Sequence, residues 1–334
     1  MANVCIVGCG AIGPIHASAV EKAASATLCG VCDNDKERAD ALAKKHKVKA
    51  FYDFGEVLAD KNIDSVHICT PHYLHKDMAI AAMQASKNVV LEKPAAMNNA
   101  EFSELLATRE QTGSKVCLVF QNRTNGGVEK LKEIAESGEY GELLGIEGSL
   151  LWHRDEAYYK HDDWRGKWAT EGGGLMINQA VHLVDLFSFL GGGIKSVRAS
   201  ISTKYLNGVI EAEDTCDVLF GMQNGIRGCF YATNAYNSNK PMRIELQFEK
   251  ALFRYADSRL YKITDDACEV IASDNTDTLG KRYWGTGHQR VIGEFYYALE
   301  NGGDYISLED GINSSRALFA VYESAKMNGK EIIL

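Results

Sequence analysis

Val4-Cys5-Ile6-Val7-Gly8-Cys9-Gly10-Ala11-Ile12-Gly13 opens the chain with four apolar residues that run straight into a G-x-G-x-x-G pattern. The short apolar run predicts a buried strand and the Ala-rich segment after Gly13 predicts a helix, so the glycines fall on a strand-to-helix turn. Asp33 follows at about the 20-residue spacing that completes a dinucleotide fingerprint. In that context Gly8 permits the tight turn, Gly10 lets the backbone approach a pyrophosphate, and Gly13 allows close helix packing. Together with Ala11 and Ile12 they bring the free N–H groups and positive dipole end of the helix to the phosphates. Asp33, ending the second predicted strand, is expected to accept from the adenosine ribose hydroxyls and to repel a 2′-phosphate, which favours NAD over NADP. Lys36 and Arg38 follow on a helix opened by Asn34-Asp35 and are expected in solvent or paired with nearby acids.

Outward from this turn, residues 3 to 122 alternate apolar runs with helical stretches, the βαβ rhythm of a doubly wound parallel sheet. Strands are predicted at Val4 to Val7, Thr27 to Cys32, Ser65 to Thr70, Asn88 to Leu91 and Lys115 to Phe120, with helical periodicity at Lys76 to Ala85 and Ala100 to Gln111. After Arg123 the pattern changes. Gly145 to Trp152, Ser196 to Ser202, Thr215 to Phe220, Arg227 to Thr233 and Arg243 to Tyr255 alternate as strands of a mostly antiparallel sheet, with helices near Val128 to Ser137, 178 to 190, 286 to 300 and 309 to 327. The expected fold class is α/β: a Rossmann domain over 1–122, then an α+β domain with an open sheet over 123–334 that would bind substrate and oligomerise. At 334 residues, two domains are the natural expectation.

With 46% hydrophobic residues, 24% charged residues and 4 prolines, the chain has the composition of an ordered globular protein. A formal net charge of -9 with no Lys/Arg cluster argues against a nucleic-acid partner, because counterion release needs a concentrated basic face. The first apolar run stops at glycine after four residues, which fits neither a signal peptide nor a membrane span. Nine scattered cysteines read as buried thiols of a reducing cytoplasm. Cys29-Gly30-Val31-Cys32 has redox-motif spacing but lies in a predicted strand, not at the helix N-terminus that would activate a thiol. No second CxxC or histidine pair suggests zinc, and no metal is expected.

Two further motifs, Cys69-Thr70-Pro71-His72 and Glu92-Lys93-Pro94, end predicted parallel strands, the edge at which open α/β sheets bind ligands. A lysine ending a buried strand, before a proline that restricts its backbone, is suited to pointing an ammonium at a substrate oxygen. In the segment Glu171-Gly172-Gly173-Gly174 to Asp185, Leu183, Leu186, Phe187 and Leu190 form an apolar stripe. Asn178, His182 and Asp185 share another face. From its own neighbourhood His182 reads equally as a core histidine or a catalyst.

These blocks, in this order, resemble the Gfo/Idh/MocA family of NAD(P)-dependent oxidoreductases, and the likeness runs over nearly the whole chain. It also takes in Gln121-Asn122-Arg123, Trp164-Arg165-Gly166 and Gly287-His288. By that resemblance Lys93 and His182 flank the substrate as the catalytic pair with Asn178 beside them. Thr70, Pro71, His75, Glu92, Lys93, Asn122, Trp164 and Arg165 touch or border the cofactor. Trp152, His153, Tyr158, Tyr159 and His161 fall in the stretch that shapes substrate pockets, where surface aromatics are an equal reading. Many family members carry aspartate where this chain has Asn178, and asparagine cannot stabilise an imidazolium as a carboxylate does.

The implied reaction is hydride transfer between NAD and a secondary hydroxyl or keto carbon of a small sugar, cyclitol or glycoside. His182 would be the proton acceptor and Lys93 the stabiliser of the alkoxide. A redox-neutral glycosidase holding its cofactor, or a non-catalytic sensor of dinucleotide or sugar, are the alternatives. The resemblance further implies a homodimer or homotetramer.

Overall fold

The computed structural model describes residues 1–274 and 286–334. The chain divides into two compact units, Met1–Gln121 with Asp277–Gly311 and Asn122–Thr276 with Ile312–Leu334.

The first unit carries a six-stranded sheet built from β1 (Ala2–Val7), β2 (Ala26–Cys32), β3 (Lys49–Phe51), β4 (Ser65–Ile68), β5 (Asn88–Leu91) and β6 (Val116–Leu118). The order is β3-β2-β1-β4-β5-β6 and every pairing is parallel. Connection reverses between β1 and β4, the point at which a doubly wound sheet binds its ligand. Crossover helices are α1 (Gly13–Lys22), α2 (Lys36–His46), α3 (Phe54–Ala59), α4 (His72–Gln84) and α5 (Asn99–Thr112).

Their starts differ in chemistry. Asp35, Asp53 and Asn98 cap α2, α3 and α5 by accepting from backbone N–H groups. The helices that follow β1 and β4 begin at Ile12 and Pro71 with no side-chain cap. Thus the two crossover N-termini that leave backbone donors uncapped by a side chain flank the reversal point.

The core of this unit joins Val4, Ile6, Ala17, Val20 and Val31 to Val291, Ile292, Phe295 and Tyr296. The last four lie on α9 (Gly287–Asn301), and the segment after it pairs back on β6, with Leu118 N–H donating to Ile306 carbonyl at 2.9 Å. This return is a correction to the linear division at residue 122, which assigned everything from 123 onward to a second domain. A helix near the C-terminus supplies an apolar face that α1 and the sheet bury, a pairing set by tertiary packing that no local signal announces.

The second unit contains α6 (Gly126–Ser137), β7 (Leu143–Leu151), α7 (Glu156–Lys160), a π-helical turn Met176–Ala180 that runs into α8 (Val181–Gly191), and β8 (Ile194–Ser202). It continues with β9 (Thr215–Met222), β10 (Arg227–Thr233), β11 (Arg243–Phe248), β12 (Leu252–Ala256), β13 (Arg259–Ile263) and β14 (Cys268–Ser273). After the return come α10 (Ile312–Lys326) and β15 (Ile332–Ile333). The nine-stranded sheet has order β14-β13-β12-β11-β7-β10-β9-β8-β15, and only β7 with β10 is parallel. The expected strand Arg243 to Tyr255 is in fact two, β11 and β12, folded back on each other around Glu249-Lys250-Ala251.

On one face of this sheet, glycines make the space for a helix. A Cβ on Gly148 would lie 2.5 Å from the Phe187 ring and one on Gly228 2.8 Å, so β7 and β10 together form the recess that α8 fills. Phe230, opposite Gly148 in the register, closes it. The opposite face exposes Leu219 and Tyr231.

No helix among the described residues is long and apolar enough to cross a membrane. Of the nine cysteines, all free, six are buried, Cys29 is half-buried, and Cys229 and Cys268 are exposed. Burial pushes the Cys9 and Cys32 thiols up to about 12, which makes them inert packing groups.

Candidate functional site

In the first unit the glycine loop behaves as its pattern demands. Gly8 has φ +97°, and a Cβ there would lie 2.5 Å from the Cys69 carbonyl oxygen; one on Gly13 would lie 2.1 Å from that of Gly8. Those two glycines are required by the protein's own packing. A Cβ on Gly10 would meet nothing within 4 Å, so the absence of a side chain there answers to no internal neighbour. This is the opening a pyrophosphate would use, above the α1 N-terminus formed by Ala11, Ile12 and Gly13.

The acid is fixed beside the loop. Asp33 Oδ2 accepts from Cys9 N–H at 2.7 Å and Oδ1 from Asp35 N–H at 2.9 Å. Arg38 pairs with Asp35 at 3.2 Å, and Lys36 lies over the Tyr52 ring at 5.4 Å, so the nearest basic side chains are engaged elsewhere. Asp33 is thereby placed to accept from a 2′-hydroxyl. The glycine cradle, the uncapped helix starts and the carboxylate fit NAD.

The edges of β4 and β5 are braced against each other. His75, fully buried, brings Nδ1 within 2.7 Å of the Pro94 carbonyl and Nε2 within 2.8 Å of the Thr70 carbonyl. It therefore links the Thr70-Pro71 loop to the cis peptide Lys93–Pro94. Glu92 is buried beneath. Its Oε1 lies 2.9 Å from His16 Nε2 and 3.6 Å from His288 Nε2, and its Oε2 accepts from Lys93 N–H at 3.3 Å. Burial alone would raise this carboxyl, but hydrogen bonds from His16 and His288 outweigh it and hold it well below the usual carboxylate range.

From Glu92 a chain of polar groups runs through the core. His16 Nδ1 meets His67 Nδ1 at 2.9 Å, His67 Nε2 meets Tyr296 Oη at 2.7 Å, and Tyr296 donates to Ser65 Oγ at 2.9 Å. His16, Glu92 and His288 bring three potential ligand atoms within 4.8 Å of one another. The 2.9 Å between His16 and Glu92 is a hydrogen-bond distance, shorter than the roughly 3.3 Å between two ligands of a tetrahedral zinc. None of His16, His67, His288 or Tyr296 figured among the expected site residues. His16 sits one turn past the fingerprint and His288 in the Gly287-His288 pair, which are faint signals; nothing local singles out His67 or Tyr296.

In the second unit, every residue from Gly173 to Phe187 is buried except Asn178 and His182, which are half-buried. The π-helical turn that holds Asn178 leads directly into the α-helical turn that holds His182, and such widened turns recur at functional sites. Asp185 is a correction. It does not share their open face but is buried, accepting from Arg123 at 2.8 Å and from the Ser314 hydroxyl at 2.7 Å. An ion pair with a guanidinium from the start of this unit turns the carboxylate inward.

Beside this helix stands a ladder of aromatic and guanidinium groups. Arg154 lies over the rings of Trp152 (4.7 Å) and Tyr158 (5.1 Å), and Arg165 over those of Tyr158 (4.8 Å) and Trp164 (4.6 Å). Arg165 donates to Asp162 at 2.8 Å and to Tyr158 Oη at 2.6 Å, and Gln179 ties Tyr158 to the helix at 3.2 Å. Trp152 Nε1 donates to the Lys240 carbonyl, and His153 Nδ1 lies 2.8 Å from that of Tyr236. Tyr159 is buried and accepts from Asn234, so it belongs to the core; His161 is exposed. Asn122 is buried next to the Met242 sulfur.

The chain is similar to several known proteins. The model of the oxidoreductase family with an NAD-binding Rossmann fold matches residues 2–120, and that of the GFO/IDH/MocA C-terminal domain matches residues 128–254. Levoglucosan dehydrogenase of Pseudarthrobacter phenanthrenivorans is 26% identical over 72% of this chain and 67% of its own length. Inositol 2-dehydrogenase of Salmonella typhimurium is 32% identical over 43% of this chain, and the match spans 44% of that enzyme. The WlbA dehydrogenase of Bordetella pertussis, solved with NADH and UDP-GlcNAcA, superposes with a TM-score of 0.86 at 28% identity over 99% of this chain and 98% of that one. The chain belongs to the GFO/IDH/MocA family of oxidoreductases, and its residues 2–120 form that family's NAD-binding Rossmann fold.

Proposed function

We propose that this protein is an NAD-dependent dehydrogenase acting on a secondary hydroxyl of a sugar, cyclitol or glycoside. The observation that carries the reading is the pair Asn178 and His182, the two residues kept from full burial in an otherwise buried segment of fifteen residues. A buried helix that retains an imidazole and an amide at its open face has the groups that bind and deprotonate an alcohol. The relatives' names, levoglucosan and inositol dehydrogenase, support an alcohol-bearing ring as substrate.

When bound, the nicotinamide accepts or supplies the hydride. His182 takes the hydroxyl proton as the alcohol is oxidised and returns it in the reverse direction, a task matched to an imidazole at neutral pH. Lys93, ending β5 before cis-Pro94, hydrogen-bonds the same oxygen and stabilises its developing negative charge. Glu92, fixed by His16 and His288, holds the backbone N–H of Lys93 and so sets where that side chain starts. Trp152, His153 and Tyr158 offer aromatic and polar surface to the ring of the substrate, and Trp164, Arg165, Thr70, Pro71, His75 and Asn122 border the cofactor. The protein works in the cytoplasm, where its nine free thiols stay reduced. It assembles as a homodimer or homotetramer through the outer face of the nine-stranded sheet, where Leu219 and Tyr231 are exposed.

His182→Ala tests the assignment. Turnover of the responsive alcohol should fall by about 10²- to 10⁴-fold, the contribution of one general base, with the Kd for NAD unchanged by calorimetry. Full activity in the variant removes His182 from the mechanism.

A further inference from the structure

Asn178 stands half-buried on the π-helical turn, and the second unit holds a buried carboxylate one hydrogen bond away. Glu171 is 0% exposed. Its Oε2 accepts from Gly166 N–H at 2.5 Å, and its Oε1 accepts from the side-chain amide Nδ2 of Asn178. The glycines that follow make this fold-back possible: a Cβ on Gly173 would lie 2.0 Å from the Tyr322 hydroxyl and one on Gly174 2.2 Å from the Glu213 carbonyl oxygen. The buried acid is thereby turned back onto the π-helical turn.

We infer that Glu171 is a positioning residue whose carboxylate fixes the amide of Asn178, so that Oδ1 is the acceptor presented on the half-buried side to the reacting hydroxyl. This rests on the reading of Asn178 and His182 as the alcohol-binding face. A carboxylate has only acceptors, so only the NH₂ of asparagine can face it, and the opposite end of the amide is then Oδ1. Protonated, the same carboxyl gains an O–H that donates to Oδ1; the amide reverses and presents its NH₂ outward. One proton on Glu171 therefore decides whether Asn178 offers an acceptor or a donor.

The groups around Glu171 come from several elements. Arg165 favours the carboxylate and Glu213, from the segment before β9, opposes it; the phenols of Tyr159 on α7 and Tyr322 on α10 lie within its electrostatic reach. Burial pushes the Glu171 carboxyl up to about 7, against the pull of Gly166 N–H, Asn178 and Arg165. Above that pH the carboxylate sets the acceptor outward. As pH falls through it, the amide reverses and alcohol oxidation is lost on the acid side.

The experiment follows the ¹⁵N side-chain amide of Asn178 by NMR in the full protein, assigned through its loss in Asn178→Ala, across about two pH units either side of 7. The expected result is a step near pH 7 that disappears in Glu171→Gln and persists with a moved midpoint in Glu171→Asp; the latter decides the matter if the former fails to fold. In parallel, with myo-inositol and levoglucosan as probes, kcat of Glu171→Gln should drop about tenfold, the size of one lost hydrogen bond to a charged group. The KM for NAD should hold, and the acid limb should lose its Glu171 ionisation and keep only that of the general base His182. An Asn178 amide without the step, a step that survives in Glu171→Gln, or a wild-type pH profile in that variant overturns the inference. A titrating amide in a protein that binds NAD yet oxidises no cyclitol, hexose or simple glycoside sinks the dehydrogenase reading and leaves the Glu171–Asn178 coupling standing.

Discussion

Asp33 holds the Cys9 N–H of the glycine loop at 2.7 Å, and we propose that the same carboxylate receives the adenosine ribose hydroxyls. Asp33→Ala removes both. NAD binding should weaken by about 10- to 100-fold, following the roughly 1.5–3 kcal/mol of a hydrogen bond to a charged group, and the preference for NAD over NADP should narrow. Calorimetry with both dinucleotides checks this, and an unchanged ratio of the two Kd values would show that Asp33 does not select the cofactor. At this scale the fingerprint was legible because its residues act within one turn and on their own backbone. Glu171, whose partner is seven residues on, and the set His16, His67, His288 and Tyr296 gathered around Glu92, spread over most of the first unit, were not. Their roles come from contacts that exist only once the strands have paired. Asp185 was misassigned for the same reason, since its spacing on the helix matched Asn178 and His182 while Arg123 drew it inward.

The α8 helix is seated by what two strands lack. Phe187 is fully buried in the recess left by Gly148 and Gly228. Gly148→Val would put a side chain where the ring now sits, and should destabilise the fold by about 1–3 kcal/mol, the usual cost of overpacking. Shrinking the ring in the double variant with Phe187→Leu should recover part of the loss. Denaturant midpoints for the two variants measure it, and a Gly148→Val protein of wild-type stability would mean that α8 is not held this way. Long alternating strands such as Arg227–Thr233 were readable from period alone. Three-residue β3, two-residue β15 and the largely exposed β14 carry too little pattern to register. The turn between β11 and β12 has neither proline nor glycine, so the two strands read as one.

At the scale of the whole molecule, the two sheets were distinguishable because apolar runs interleaved with helices give way after Arg123 to alternating strands. The return of α9 to the first unit was not, because its apolar face would fit either core and only the packing of Phe295 and Tyr296 among β1 and α1 residues decides. The exposed Leu219 and Tyr231 lead to an assembly prediction. Light scattering at micromolar concentration should give the mass of two or four chains, and a monomer would contradict packing through that face.

Dehydrogenation of a ring alcohol with NAD is tested by a panel of cyclitols, hexoses and simple glycosides with NAD or NADP, followed at the nicotinamide absorbance. At least one polyol should reduce NAD, and that signal should be lost in Lys93→Ala. Silence across the panel from a protein that demonstrably binds NAD, or full activity in Lys93→Ala, would contradict it.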